Sequence, residues 1–286
     1  MKPAAFRYHL AGSADDAVEV LAERGEAARV LAGGQSLVPL LNMRLAAVSD
    51  LVDLNRCTDL DAVRTEDGWL EIGAMTRQRT AELSSLVSRE CPLLGEGLRW
   101  VGHPPIRNRG TVGGSLVHAD PAAELPAVAV ALDAVLRLRG PGGERDVPAA
   151  EFFSGVFETA IAAGELLVTV RFPRQAPGAR SCFLELARRH GDFAIAGVAA
   201  VLRTEQDRVA EARLALAGVD ATPVRAARAE AALVGEAPSP ELFAHAAEVA
   251  SGECSPTADL HGSPDYRRQL VRVLVERALT GGAEAA

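Results

Sequence analysis

Cysteine is scarce in this chain, and the four present, Cys57, Cys91, Cys182 and Cys254, stand far apart without a C-x-x-C pair. That spacing excludes a zinc ribbon, an iron-sulfur run and a disulfide framework, so free thiols in a reducing compartment are expected. No segment approaches the ~20 apolar residues of a membrane span, and residues 1–7 lack the apolar centre of a signal peptide, which together predict a cytoplasmic protein. Neither G-x-G-x-x-G nor G-x-x-x-x-G-K-S/T occurs, which disfavours Rossmann and P-loop nucleotide sites. Repeats and low-complexity tracts are absent as well. Basic residues number 30 against 38 acidic ones, a formal charge of −8, and they are dispersed rather than striped. Nucleic acid and anionic membrane are therefore poor partners.

What the chain does have is two glycine pairs flanked by hydroxyls. The first, in Val30-Leu31-Ala32-Gly33-Gly34-Gln35-Ser36-Leu37, follows a short apolar run and leads into an apolar helical start. Glycines let backbone approach a ligand and adopt positive φ, so successive amides can point into one anion-holding concavity. Ser36 is placed to cap a helix whose N-terminus favours phosphate. The second pair lies in Gly110-Thr111-Val112-Gly113-Gly114-Ser115, and two such cradles suit a diphosphate. The first loop carries no Lys or Arg.

At 286 residues the chain has length for two domains and a sizeable core. Ser13 caps a helix that Gly25 ends, and residues up to about 55 form a small βαβ-like unit presenting the first loop. A strand is predicted at 69–73 and helices at 77–83 and 92–101. Pro104-Pro105 then imposes an extended approach to the second loop. A helix at 125–132, a strand at 135–139, a Pro141-Gly142-Gly143 turn before a short helix, and a strand at 165–172 follow. The Pro- and Gly-rich 173–178 segment is the domain boundary. Beyond it a hairpin (197–203 with 209–217) precedes three helices starting at Thr222-Pro223, Ser239-Pro240 and Ser263-Pro264. The last places Tyr266, Leu270, Val273, Leu274 and Ala278 on one face toward the hairpin.

AGGQSLVPLLNMRL (32–45) and TVGGSLVHADPAAELPAV (111–128) resemble the two FAD-pyrophosphate loops of the flavoprotein, or medium, subunit of molybdenum hydroxylases, the carbon monoxide dehydrogenase and xanthine dehydrogenase family. The likeness continues through Asp50-Leu51-Val52-Asp53-Leu54, Ile72-Gly73-Ala74-Met75-Thr76, Ile106-Arg107-Asn108-Arg109-Gly110, Gly164-Glu165-Leu166-Leu167 and Arg188-Arg189-His190-Gly191-Asp192-Phe193-Ala194, covering essentially the whole chain. It implies an α/β (α+β) protein. A two-lobed FAD-binding domain of the PCMH type would span residues 1–177, with lobes of about 1–55 and 56–177. A C-terminal α+β domain of residues 178–286 would carry a small antiparallel sheet and three helices.

By the same resemblance Ala32, Gly33, Gly34, Gln35, Ser36, Leu37, Thr111, Gly113, Gly114 and Ser115 contact the FAD pyrophosphate, mostly through amides. Position 115 is often Asn in relatives, and Ser115 offers fewer hydrogen bonds. Glu124 matches a carboxylate on the ribityl hydroxyls, and Val101 and Ile161 match residues that sandwich adenine. Phe193 matches the residue covering one isoalloxazine face, with Asp192 beside it. Several relatives carry Lys in place of Glu185. FAD would be bound non-covalently, while molybdenum-molybdopterin and 2Fe-2S clusters would reside on a large and a small partner subunit, in a dimer of heterotrimers. Electrons would pass from iron-sulfur centres through FAD to an external acceptor. No catalytic residue or metal ligand is expected here. Ser115, His118 and Asp120 crowd into one loop, a poor scaffold for a hydrolytic triad. The rival readings are a self-contained FAD-dependent oxidoreductase of the same fold and a non-redox phosphate-ligand module.

Overall fold

Parallel strands open the chain. In the computed structural model, which describes residues 2–281, Arg7–Leu10 and Ala28–Leu31 flank Asp50–Asp53 in a parallel three-stranded sheet. The first crossover is the helix Ala14–Arg24, whose start is capped by Ser13 Oγ accepting from the Asp16 amide at 3.1 Å and whose end is Gly25 at φ 54°. Its buried Ala14, Ala17, Val18 and Leu21 pack with Val52 and Leu54 of the sheet. The second crossover is the helix Leu37–Met43. The loop between Ala28–Leu31 and that helix therefore lies at the carboxyl end of a strand, where open parallel sheets hold ligands. At the other end of this sheet, hydrogen bonds from Arg7 and then His9 pull the Asp50 carboxyl down to about 2.

An antiparallel five-stranded sheet follows, in the order Val63–Glu66, Trp69–Gly73, Leu166–Pro173, Val135–Gly140, Gly143–Pro148. Its apolar face shares a core with the helices Pro92–Trp100 and Glu124–Ala131. Every residue of Glu124–Ala131 is buried, as befits a helix apolar all round.

The last sheet is antiparallel, in the order Arg180–Ala187, Ala194–Glu205, Arg208–Ala217, Val224–Arg225. One face sends Phe183, Ala199, Val201, Ala215 and Ala217 into the core around Glu124–Ala131. The other packs Val198, Ala200, Leu214 and Leu216 against the helices Ala227–Leu233, Pro240–Ser251 and Pro264–Thr280. Covering on both faces explains why 194–202 is apolar without alternation and buried throughout.

Several local expectations are corrected. Pro104-Pro105 does not extend the backbone: it starts the short helix Pro104–Arg107, because prolines at the first two positions lack only amides that need no intrahelical partner. Residues 143–148 form a hairpin strand before the short helix Ala149–Phe152, and a further helix, Ser85–Glu90, lies between the two predicted ones. Ser239 and Ser263 cap their helices, but Thr222-Pro223 does not, since Val224–Arg225 is held as an edge strand on Ala215 and Leu216. The last helix turns its Arg267, Val271, Leu274, Val275 and Ala278 inward, leaving Tyr266 exposed. Buried Arg267 sets that face by donating to the Ile195 and Gly218 carbonyls at 2.6 and 2.7 Å.

Candidate functional site

The first loop behaves as its composition suggests. Gly34 sits at φ 74°, and its carbonyl accepts from the Val38 amide at 3.1 Å to start the helix. Among the described residues, no backbone N–H from 32 to 37 has a protein acceptor. Buried or half-buried donors without partners cost free energy, so a run of them at a helix start is a site for an anion's oxygens. Ser36 stands at the cap position in helical conformation and makes no capping bond, unlike the expectation, which leaves its hydroxyl available.

Neighbours hold this loop rigidly. The Asn55 side chain donates to the Ala32 carbonyl at 3.1 Å, and Asp53 accepts from the Asn55 amide at 2.8 Å and from the Tyr8 hydroxyl at 2.6 Å. Arg77 donates to Asn55 Oδ1 at 2.6 Å and to the Arg109 carbonyl, tying the first loop to the second. Burial and then the nearby Arg109 charge hold the Arg77 guanidinium below its usual pKa. Arg77 and Arg109 supply the positive charge that the loops lack. Sequence reasoning missed both arginines as site residues, and Asn55 too. The one signal was the Arg109 position inside the family-like 106–110 stretch.

The second loop differs from a second cradle. Its amides serve the protein: Gly113 N–H donates to the Ala74 carbonyl at 2.9 Å, Gly114 N–H to Thr111 Oγ1 at 3.0 Å, and Ser115 N–H to the Thr111 carbonyl at 3.2 Å. Thr111 is thus the N-cap of the helix Val112–His118. The glycines are required by proximity, since a Cβ on Gly113 would stand 2.6 Å from Ala74 Cβ and one on Gly114 2.6 Å from Thr111 Oγ1. A Cβ on Gly114 would also lie 3.6 Å from Ala32 Cβ, so the two loops face each other.

Glu124 opens its helix directly beyond this loop. Burial raises its carboxyl to about 7. Across the boundary Glu185 on the strand Arg180–Ala187 is also buried, with neither carboxyl oxygen hydrogen-bonded. Burial, and then the charge of Glu124, push it up to about 9.

The turn at 188–193 leans on the other side of the site. Gly191 lies at φ 87° against the His103 ring, the His190 ring packs tilted at 5.8 Å from His103 and 6.0 Å from Trp100, and Phe193 is left 58% exposed. Val101 is buried and Ile161 half-buried on the main core, where the Val101 carbonyl accepts from Arg107 at 2.8 Å. His118 packs on the Phe157 ring at 5.0 Å, with its pKa lowered by burial, and Asp120 accepts from the Ala122 amide at 2.9 Å. Neither group is arranged to activate Ser115. A hollow of about 310 Å³ elsewhere is lined by Arg64, Glu71, Arg137, Arg139 and Glu144, whose charges pair with one another.

A parallel-sheet loop of free amides with a capped helix facing it is a cradle for the phosphates of a nucleotide-type cofactor. Residues 4–175 match the FAD binding domain in molybdopterin dehydrogenase, and residues 181–281 match the CO dehydrogenase flavoprotein C-terminal domain. The chain is 43% identical over 280 residues to the 6-hydroxypseudooxynicotine dehydrogenase complex subunit alpha of Paenarthrobacter nicotinovorans, covering 98% of this chain and 95% of that one. It is 38% identical over 279 residues to the carbon monoxide dehydrogenase medium chain of Hydrogenophaga pseudoflava, covering 98% and 97%. Among solved structures, carbon monoxide dehydrogenase from the latter organism superposes with a TM-score of 0.96 at 39% identity, covering 99% and 98% of the chains. Quinoline 2-oxidoreductase from Pseudomonas putida 86 does so at 0.94 and 38%, covering 99% of each. The chain belongs to the FAD-binding medium subunits of the molybdenum hydroxylases, an oxidoreductase family whose relatives are chains of multi-subunit complexes.

Proposed function

We propose that FAD binds non-covalently in the cleft between the two loops and the C-terminal domain. The observation that carries this reading is the run of unpartnered amides at 32–37, aimed at the start of a helix and backed by Arg77 and Arg109. Ala32, Gly33, Gly34, Gln35, Ser36 and Leu37 hold one end of the pyrophosphate. Thr111, Gly113, Gly114 and Ser115 contribute the dipole of their helix and a close-packed surface rather than a second set of free amides. Glu124 accepts from ribityl hydroxyls, Val101 and Ile161 border the adenine, and Phe193 with Asp192 covers the ring.

When bound, the flavin supplies electron transfer between one-electron and two-electron carriers. This chain's residues bind and orient it, and the buried domain interface excludes water. We place the domain division at 177/178, within the gap between the family matches that end at 175 and begin at 181, and the lobes of the first domain at about 1–55 and 56–177.

The chain works beside a small subunit with 2Fe-2S clusters and a large molybdopterin subunit, as a dimer of heterotrimers in the cytoplasm. It passes electrons from the clusters to an external acceptor. Among the described residues no helix is long and apolar enough to cross a membrane, and no cluster of metal-ligating side chains occurs. Co-expression of the tagged chain with its neighbouring reading frames tests this. Co-purification of a cysteine-rich and a molybdopterin chain is expected, and a flavin-loaded chain that turns over substrate alone would contradict it.

A further inference from the structure

Glu185 is a buried acid that the fold leaves without a partner. Along its strand, Ser181 and Phe183 share its face and meet the helix Pro92–Trp100. Ser181 donates to Glu96 at 2.6 Å, the Phe183 amide donates to the other Glu96 oxygen at 3.0 Å, and the Phe183 ring lies 6.5 Å from that of Trp100. Glu185 comes next on the same face, with Gly197 opposite it in register. It is 7% exposed, and both carboxyl oxygens are buried and without a hydrogen bond.

Its charged surroundings allow one role. Glu124 faces it from the other domain, and Asp120 and Arg107 act in turn on Glu124. Glu96 is occupied by Ser181 and the Phe183 amide. The turn that follows carries Arg188, Arg189, His190 and Asp192, and none of them reaches Glu185 in a hydrogen bond or ion pair. Two ionised carboxylates cannot share so dry a place, so one of the pair keeps its proton. A neutral carboxyl offers one O–H donor beside one carbonyl acceptor. The complement of that pattern is a ring edge with an acceptor beside an N–H donor.

We propose that Glu185, buried beside Glu124 with both carboxyl oxygens unpartnered, is a cofactor-binding residue that hydrogen-bonds the imide edge of the flavin ring. The inference rests on the FAD reading above. An adenine edge has a similar pattern, but Glu185 lies on the strand leading straight into the turn that presents Phe193, which places it at the ring end of the cleft.

The test is a set of binding titrations on the apoprotein from pH 7 to 10, following flavin fluorescence and visible spectrum, with FAD, riboflavin and ADP as separate probes. Since Glu185 is pushed up to about 9, wild-type affinity for FAD and riboflavin should fall about tenfold per pH unit above that value, and ADP affinity should not. Glu185→Gln keeps a neutral donor and acceptor at every pH, so it should bind well and lose this fall. Any decline it shares with the wild type belongs to the ligand. A second variant, Glu124→Gln, should move the break to lower pH whatever its effect on affinity. Superimposable wild-type and Glu185→Gln profiles, a break unmoved by Glu124→Gln, or a dependence seen with ADP but not riboflavin would overturn the proposal. A folded wild-type chain that binds no FAD at any pH would instead overturn the FAD reading.

Discussion

Gly33 lies against Arg109 so closely that a Cβ on it would stand 2.3 Å from the Arg109 carbonyl oxygen. Two loops far apart in the chain are thereby pressed backbone to backbone, with no room for a side chain at Gly33. Gly34→Val forces a branched residue to φ 74°, and Gly114→Val displaces the Thr111 cap. Each should leave circular dichroism native and lower FAD affinity more than about tenfold, roughly 1.4 kcal/mol. Full flavin occupancy in both variants would contradict the two-loop site.

Asn55 acts at one remove. Asn55→Ala deletes the bond to the Ala32 carbonyl and the anchor of Arg77, so the loop should lose order without losing its amides. A hydrogen bond of this kind contributes about 0.5–1.5 kcal/mol, which predicts a roughly twofold to twelvefold weaker FAD complex. Isothermal titration on apoprotein decides it, and unchanged affinity would make the network irrelevant to the site.

Phe193 is exposed, and its truncation should therefore cost little stability. For Phe193→Ala the expected change is within about 0.5 kcal/mol, against roughly 3–5 for a core phenylalanine. The flavin's spectrum and reduction potential should shift. A large fall in melting temperature with an unaltered potential would remove Phe193 from the site.

The buried acids give the apoprotein an alkaline weakness. Burial, and then the charge of Glu124, push Glu185 up to about 9 in the folded chain against ~4.3 for an unfolded glutamate, so the native state binds more protons in between. Stability is then fully present below about 4.3 and is lost as pH rises toward and through 9, with Glu124 adding the same trend toward about 7. Glu185→Gln removes its share. Its melting temperature should gain on the wild type by at least about 2 °C between pH 6 and 9, the shift that roughly 1 kcal/mol gives in a chain of this size. A constant gap would show that Glu185 is ionised or solvated in the folded chain.

The first glycine turn was legible because its logic is local: Gly33-Gly34 after an apolar strand carries its conformation in adjacent letters. The second pair read as another cradle, and the Thr111 cap that uses up its amides went unseen. The helix caps at Ser13, Ser239 and Ser263 were legible for the same reason, and Thr222-Pro223 shows the limit, since an edge-strand pairing overrode an identical signal. What tertiary contact decides stayed hidden. Nothing near Asn55 or Arg77 announces that they join two loops, and Arg267 looks like any helical arginine until it meets the Ile195 and Gly218 carbonyls. Glu185 resembles a surface residue of a strand, and only the folded chain places it against Glu124.

The central claim is that this chain holds FAD, non-covalently, on the unpartnered amides of residues 32–37. Acid precipitation of the purified yellow protein, with chromatography of the supernatant and a flavin-to-protein ratio, tests it most directly. The account predicts FAD released in close to one equivalent per chain, leaving a colourless pellet. Flavin that stays with the precipitate, FMN in place of FAD, or a protein that neither carries nor takes up flavin would contradict it.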